Sequence, residues 1–380
     1  MFVRVFALSF IVAVAGLVGA LLYGGPEALI LASILGVLEV SLSFDNAVVN
    51  AAVLQRMSRF WQRMFLTVGV LVAVFGMRLV FPLIVVAIGA HLDPLKALEL
   101  ALNPPPDGLA YFADGRPSYE TLLNDANPKI ATFGGMFLLL LFLNFVCAER
   151  EITWLSWLER PLGRIGRFPM FTTVVSLVTL VFVAGFLAPN DKADVVMVAG
   201  VLGVVTYILV DGLGKHFDDE PEEGESSSGP SGLAVLTGRA AFFSFLYLEV
   251  LDASFSFDGV IGAFAITSDP IIIALGLGLI GAMFVRSITV YLVRRGTLSE
   301  YVYLEHGAHW AIGALALVLL YSTGRHVDEM TTGLIGVAII AAAYVSSVVH
   351  NRRHRVSPDN TPAETDLELT EPPREYVGPA

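Results

Sequence analysis

Two short segments carry most of the polar chemistry of this chain: LEVSLSFDNAVVN at 38–50 and LDASFSFDGVIGA at 251–263. Aligned, they set Glu39 against Asp252, Ser41 against Ser254, Ser43 against Ser256, Phe44 against Phe257 and Asp45 against Asp258. Carboxylates, the Asn46 amide and serine hydroxyls are hard oxygen donors, which suit Mg, Ca or Mn, and the single cysteine, Cys147, excludes a thiolate cluster. In EHGAH at 305–309, His306 and His309 are spaced i, i+3, and imidazole near such a site tilts preference toward Mn, Fe or Zn. A helix-start or hydrogen-bonding role for these histidines is the competing reading. Asn144 and Glu149, in LNFVCAER, hold the corresponding place in the first half. The expected metal set is thus Asp45, Asp258, Asn46, Glu39, Asp252, Glu249, His306 and His309. Ser43, Ser256, Arg78, Arg286 and Asn144 are expected along the pathway or balancing charge.

The elements that must position these residues are membrane helices. Of 380 residues, 55% are apolar and 15% charged, against roughly 25% charged in a soluble domain. Segments 4–23, 27–53, 66–90, 131–148, 171–188, 194–213, 237–264, 270–293, 306–323 and 331–349 read as ten spans. The first also fits a cleaved signal, but its apolar run is long for one and the ten-span count needs no cleavage. With the N-terminus inside, 16 of the 23 Lys and Arg residues fall on the cytoplasmic side and 5 opposite, leaving Arg78 and Arg286 within spans. Both termini are therefore expected in the cytoplasm, with the protein in the cell inner (plasma) membrane.

The motif spans are the second and seventh, so an odd offset makes them cross in opposite directions. The fold class expected is all-α, about ten transmembrane helices in two inverted five-helix repeats, 1–190 and 191–350, with a disordered tail at 351–380. Inverted repeats of this kind place a midplane site at their interface. Residues 91–130 read as an outside loop with a short interfacial helix near Pro94–Ala101, and 216–232 as a flexible acidic linker.

At about 100° per residue, Glu39, Ser43, Asn46 and Asn50 fall on one stripe, with Ser41 and Asp45 well away from it. In the second copy Glu249, Asp252, Ser256 and Gly259 share a face opposite Ser254 and Asp258. Either both faces are covered by protein or the Ser-Phe-Asp stretch unwinds, more readily beside Gly259 and Gly262. Each midplane charge costs at least about 2.5–3.5 kcal/mol. Two arginines cannot neutralise Glu39, Asp45, Glu249, Asp252 and Asp258, and the surplus favours a cation, with or without protons. The alternative is that the arginines merely pair with carboxylates and hold helices together.

SLSFDNAVV and SFSFDGVIGAFAIT together resemble the twin acidic motifs of the TerC family, with Phe264, Ala265, Ile266 and Thr267 completing the second. The 91–130 loop, EHGAH and the Glu39/Asp252 pair depart from that pattern and suggest a side branch. The resemblance implies a LysE-type exporter, divalent-metal efflux with Mn2+ as cargo, and tellurite or metal-stress resistance. It carries over Asp45, Asn46 and Asp258 as site positions. The partners expected are a divalent cation and the lipid bilayer, with no nucleic acid and no prosthetic group. The acidic linker and tail are candidate docking segments for soluble stress-response proteins, which leaves a non-transporting scaffold as one alternative. An amino-acid or small-solute exporter using Arg78 and Arg286 as carboxylate forks is another. Catalysis is not expected: the chain has no phosphate-binding glycine loop with its lysine and no nucleophile elbow.

Overall fold

The computed structural model describes residues 2–355 apart from 70, 106–108, 190, 219–235, 268, 296–300, 326 and 328. Most of the acidic linker and the tail from 356 lie outside the described residues, whereas 351–355 continue the last helix. The described chain is mostly helical, and its β pairing among the described residues is limited to two isolated bridges, Met57 to Leu236 and Tyr111 to Pro117. The first half comprises α1 (Phe2–Leu42), α2 (Phe44–Leu54), α3 (Arg59–Met64), α4 (Phe81–Gly89), α5 (Pro94–Leu102), α6 (Tyr119–Val146), α7 (Ser156–Ile165) and α8 (Phe171–Phe182). The second comprises α9 (Ala193–Asp218), α10 (Gly238–Ile266), α11 (Pro270–Ile273), α12 (Ala282–Arg295), α13 (Leu304–Ser322) and α14 (Glu329–Arg355). Wider π-type turns fill Phe65–Gly69 and Val72–Val80 ahead of α4, Val183–Leu187 after α8, and Ala274–Gly281 between α11 and α12.

Every segment expected to span is helical, and six described helices are long and apolar enough to cross a bilayer. A seventh arises if Phe75–Gly89 and α5, bent by 115°, form one broken span. The protein is a multi-pass, all-α membrane protein. Its exterior fits a lipid environment: Leu22 and Val37 project from the long helix α1 at 82% and 68% exposure, and Phe186 from the apolar stretch 171–187 at 78%.

At 41 residues and about 1.5 Å per residue, α1 is twice the length one crossing needs. It is divided where the sequence places two glycines before a proline: Gly24 leaves helical geometry and Gly25 takes φ 72°, ψ −160°. Only glycine enters that region cheaply, and Pro26 then suits the first turn of the second helical stretch. Gly25→Ala meets no neighbouring atom, so its cost is backbone strain alone, about 1–3 kcal/mol. Thermal unfolding in detergent should show that loss for Gly25→Ala and little change for Gly19→Ala, which also has open space but no positive φ.

Packing is reciprocal between halves. α1 lies along Ala274–Gly281 and α12, while α10 lies along Val72–Val80. α6 packs on α9 and α13, and α2 on α12 and α13. Gly276 and Gly16 permit close approach of α1 to the 274–281 stretch: a Cβ on Gly276 would sit 2.7 Å from the Ala32 carbonyl oxygen. One buried apolar cluster, containing Phe137, Leu138, Leu248 and Ile312, joins α2, α6, α9, α10 and α13, and a second joins α1 to Phe264 and Leu277.

Candidate functional site

The helix carrying the first motif is interrupted at Ser43, whose φ of −96° and ψ of 14° separate α1 from α2. The second motif shows no interruption, since α10 runs from Gly238 to Ile266 through both Gly259 and Gly262. This reverses the expected preference for unwinding at the second copy. Gly259 serves close packing instead, since it faces Glu39, whose Oε2 would lie 3.3 Å from an added Cβ.

Glu39, 2% exposed, forms an ion pair with Arg78 Nη2 and accepts a 2.6 Å hydrogen bond from Ser43 Oγ. Its stem passes over Gly281, where a Cβ would come within 2.2 Å of Glu39 Cγ. The glycine therefore makes the niche the carboxylate occupies. On α10, Asp252 is 8% exposed and accepts from Asn46 Nδ2 of α2, and Asn50, one turn later, also engages it. Glu249, one turn before Asp252, is buried with its Oε1 directed at Gly69, 2.6 Å from the position of an added Cβ. Neither Glu249 oxygen nor the Ser256 hydroxyl finds a hydrogen-bond partner among the described residues. Arg78, Arg286, Asp252 and Asn50 line one small cavity with Gly69 and Thr289, and Arg286 Nε donates to the Leu66 carbonyl at 2.7 Å.

Glu39, Asp252, Asn46, Ser43, Arg78 and Arg286 are thus brought together from both halves, with Glu249 beside them. Asp45 and Asp258 belong to α2 and α10 by their backbones, but their side chains lie outside the described residues. No three His, Cys, Asp or Glu side chains converge on a common point among the described residues. The described donors are instead two carboxylates joined to amides and a hydroxyl, with an arginine between.

His306, His309 and Asn144 belong to a different cluster. His306 Nδ1 lies 3.1 Å from Glu159 Oε2, and His309 stacks on Phe145, with centroids 3.5 Å apart, while its Nδ1 contacts the Glu305 carbonyl at 2.8 Å. Asn144 Nδ2 donates to the Tyr207 hydroxyl at 3.2 Å. Asn144, Tyr207, Arg56, Arg150, Glu305 and His309 line a chamber of their own. His306 is held instead by Glu159, a carboxylate that spacing alone does not single out: it comes from a short helix, and its side-chain partners His306 and Trp310 lie far along the chain.

A family model described as "Protein of unknown function (DUF475)" matches residues 44–354, from the start of α2 almost to the end of α14. The chain belongs to the DUF475 family. The family segment takes in both acidic motifs from Phe44 onward but leaves Glu39 outside it. The chain is also similar to a protein from Bacillus subtilis (strain 168) named "Uncharacterized membrane protein YceF", 29% identical over 138 residues. That alignment takes in 36% of this chain and 51% of the relative, so the chain spans about half the length of the relative it matches. No solved structure matches.

Proposed function

We propose that this DUF475 protein is a secondary transporter that exports a divalent metal cation, with Mn2+ as cargo, in exchange for protons. The observation that carries this reading is the buried meeting of Glu39 and Asp252 from the two motif helices, with Asn46, Asn50 and Ser43 supplying further oxygens. Glu39 pairs with Arg78, whose charge also acts on Asp252, with Arg286 at the cavity wall and a third buried carboxylate, Glu249, one turn from Asp252 on α10. Two further aspartates, Asp45 and Asp258, lie on α2 and α10. That surplus negative charge is expensive at membrane depth and is relieved when a cation, or protons in its place, occupies the site. Hard oxygen donors favour Mn2+, Mg2+ or Ca2+ over softer ions.

The ten helical segments are read as ten crossings in two inverted five-helix repeats, both termini cytoplasmic. Division of α1 at Gly25 and the reciprocal packing of α1 on 274–281 and of α10 on 72–80 support this. Rocking of one motif bundle against the other then exposes the site alternately to the two faces. The resemblance to the TerC family and the LysE-type exporters supports the same reading, and metal-stress or tellurite resistance follows from it.

In a host challenged with manganese, Asp45→Ala and Asp258→Ala should each raise whole-cell manganese to the level of a deletion strain, measured by elemental analysis. Unchanged metal content and growth in both variants would sink the proposal. If the linker at 219–235 were required while both aspartates were dispensable, a scaffold would be the better description.

A further inference from the structure

α7 presents two different faces, one buried and one exposed. Its inner face is clamped to the end of α6: Glu159 and Gly163 are buried, a Cβ on Gly163 would meet the Ala148 carbonyl at 3.4 Å, and one on Gly166 would collide with the Cys147 carbonyl at 2.1 Å. The outer face is exposed and mixed, with Trp157 at 75% and Phe168, just beyond the helix, at 68%, and with Arg160 and Arg164 one turn apart between them. Ten residues make about 15 Å, half a bilayer core, so this helix does not cross. It joins the end of α6, a helix long and apolar enough to cross a bilayer, to the start of α8, whose Val174, Val178 and Val181 are exposed, and so sits at the boundary of the membrane. Because Glu159 points inward and Arg167 is paired with Glu149, the outward charge of α7 comes from Arg160 and Arg164. Aromatic rings interleaved with arginines on one face of a short helix are the pattern of an interfacial element on an anionic surface, and a soluble acidic partner would not need the rings.

We propose that α7 binds anionic phospholipid headgroups, and that Glu159, through His306 and Trp310, ties that lipid-bound helix to α13. The assignment rests on the membrane character of the chain and not on which solute is carried.

The test uses the full chain carrying Cys147→Ala and Phe168→Cys, labelled at 168 with an environment-sensitive fluorophore and reconstituted in phosphatidylcholine vesicles containing phosphatidylglycerol. Brominated phosphatidylglycerol should quench the label more strongly than brominated phosphatidylcholine at the same mole fraction. Each arginine near an anionic surface contributes about fivefold to that preference. Arg160→Gln with Arg164→Gln should equalise the two lipids, and the corresponding lysine pair should retain the difference. High salt should weaken the preference in the parent protein, a control that does not depend on the variants folding. Equal quenching by the two lipids in the parent overturns the proposal. So does a label reached by aqueous iodide and by neither lipid, the result expected if this face were turned to a soluble partner. Neither reading depends on cation transport, so failure here leaves the export proposal standing and failure of export leaves this one standing.

Discussion

Arg78→Leu should be among the most damaging single substitutions in this protein, destabilising it by about 3–5 kcal/mol in a reversible unfolding assay in detergent or bicelles. The magnitude comes from the charge left behind. Glu39 is 2% exposed, held by Arg78 and Ser43, and walled in by Gly281 and Gly259, so it cannot turn toward water when its cation is removed. A double-mutant cycle separates the pair from the packing of each side chain. Glu39→Gln with Arg78→Leu should cost clearly less than the sum of the two single changes, because the second change removes the charge the first had stranded. Additive losses would mean that Arg78 acts through packing alone. Arg78→Lys keeps the charge without the planar fork, so it should recover part of the stability. On the export proposal, Arg78 also acts on Asp252, and the lysine variant should then lower whole-cell manganese less effectively than its stability would suggest.

The helices were legible in the sequence because each requires only a run of apolar residues, and all ten expected segments are helical. The motif stripe was legible for the same local reason. Glu39, Ser43, Asn46 and Asn50 fall on one side at helical spacing, and the structure turns that side toward Asp252 and Arg78. What local spacing does not contain is the choice of partner across the interface. Asn46 and Asp252 are 206 residues apart, and either motif asparagine or serine could have met either carboxylate. The histidines show the same limit from the other side. Their i, i+3 spacing fits a metal site as well as it fits a buried anchor, and the decision lies with partners from elsewhere, Glu159 of α7 for His306 and the Phe145 ring for His309. The glycine niches at Gly69 and Gly281 were invisible for a third reason: a glycine inside an apolar helix marks close approach without saying what approaches.

Glu159→Ala should detach α7 from α13, and its effect should be second only to that of Arg78. The carboxylate accepts from Trp310 Nε1 at 2.9 Å and from the backbone N–H groups of Trp154 and Leu155 at 3.1 and 3.3 Å, and it faces His306 at 3.1 Å. Truncation strands those donors in a site that is 5% exposed, a loss on the order of 3 kcal/mol. Burial pushes the Glu159 pKa upward, but the close contact with His306 and the hydrogen bonds from Trp310 and the Leu155 N–H outweigh it, so the native value lies below the ordinary 4.5. A carboxylate depressed on folding contributes its stability above its unfolded pKa and loses it as pH falls through the native one. Wild-type protein should therefore keep the α7 latch at neutral pH and weaken below about pH 4.5, whereas Glu159→Gln should lose that acid-sensitive component and be nearly flat over the same range. Protease sensitivity of the 149–170 segment, measured across that pH interval, reads the latch directly. Cleavage should rise on acidification in the wild type and start high in Glu159→Ala. An acid transition unchanged in Glu159→Gln would assign it to another carboxylate and leave α7 held by its glycine contacts with α6 alone.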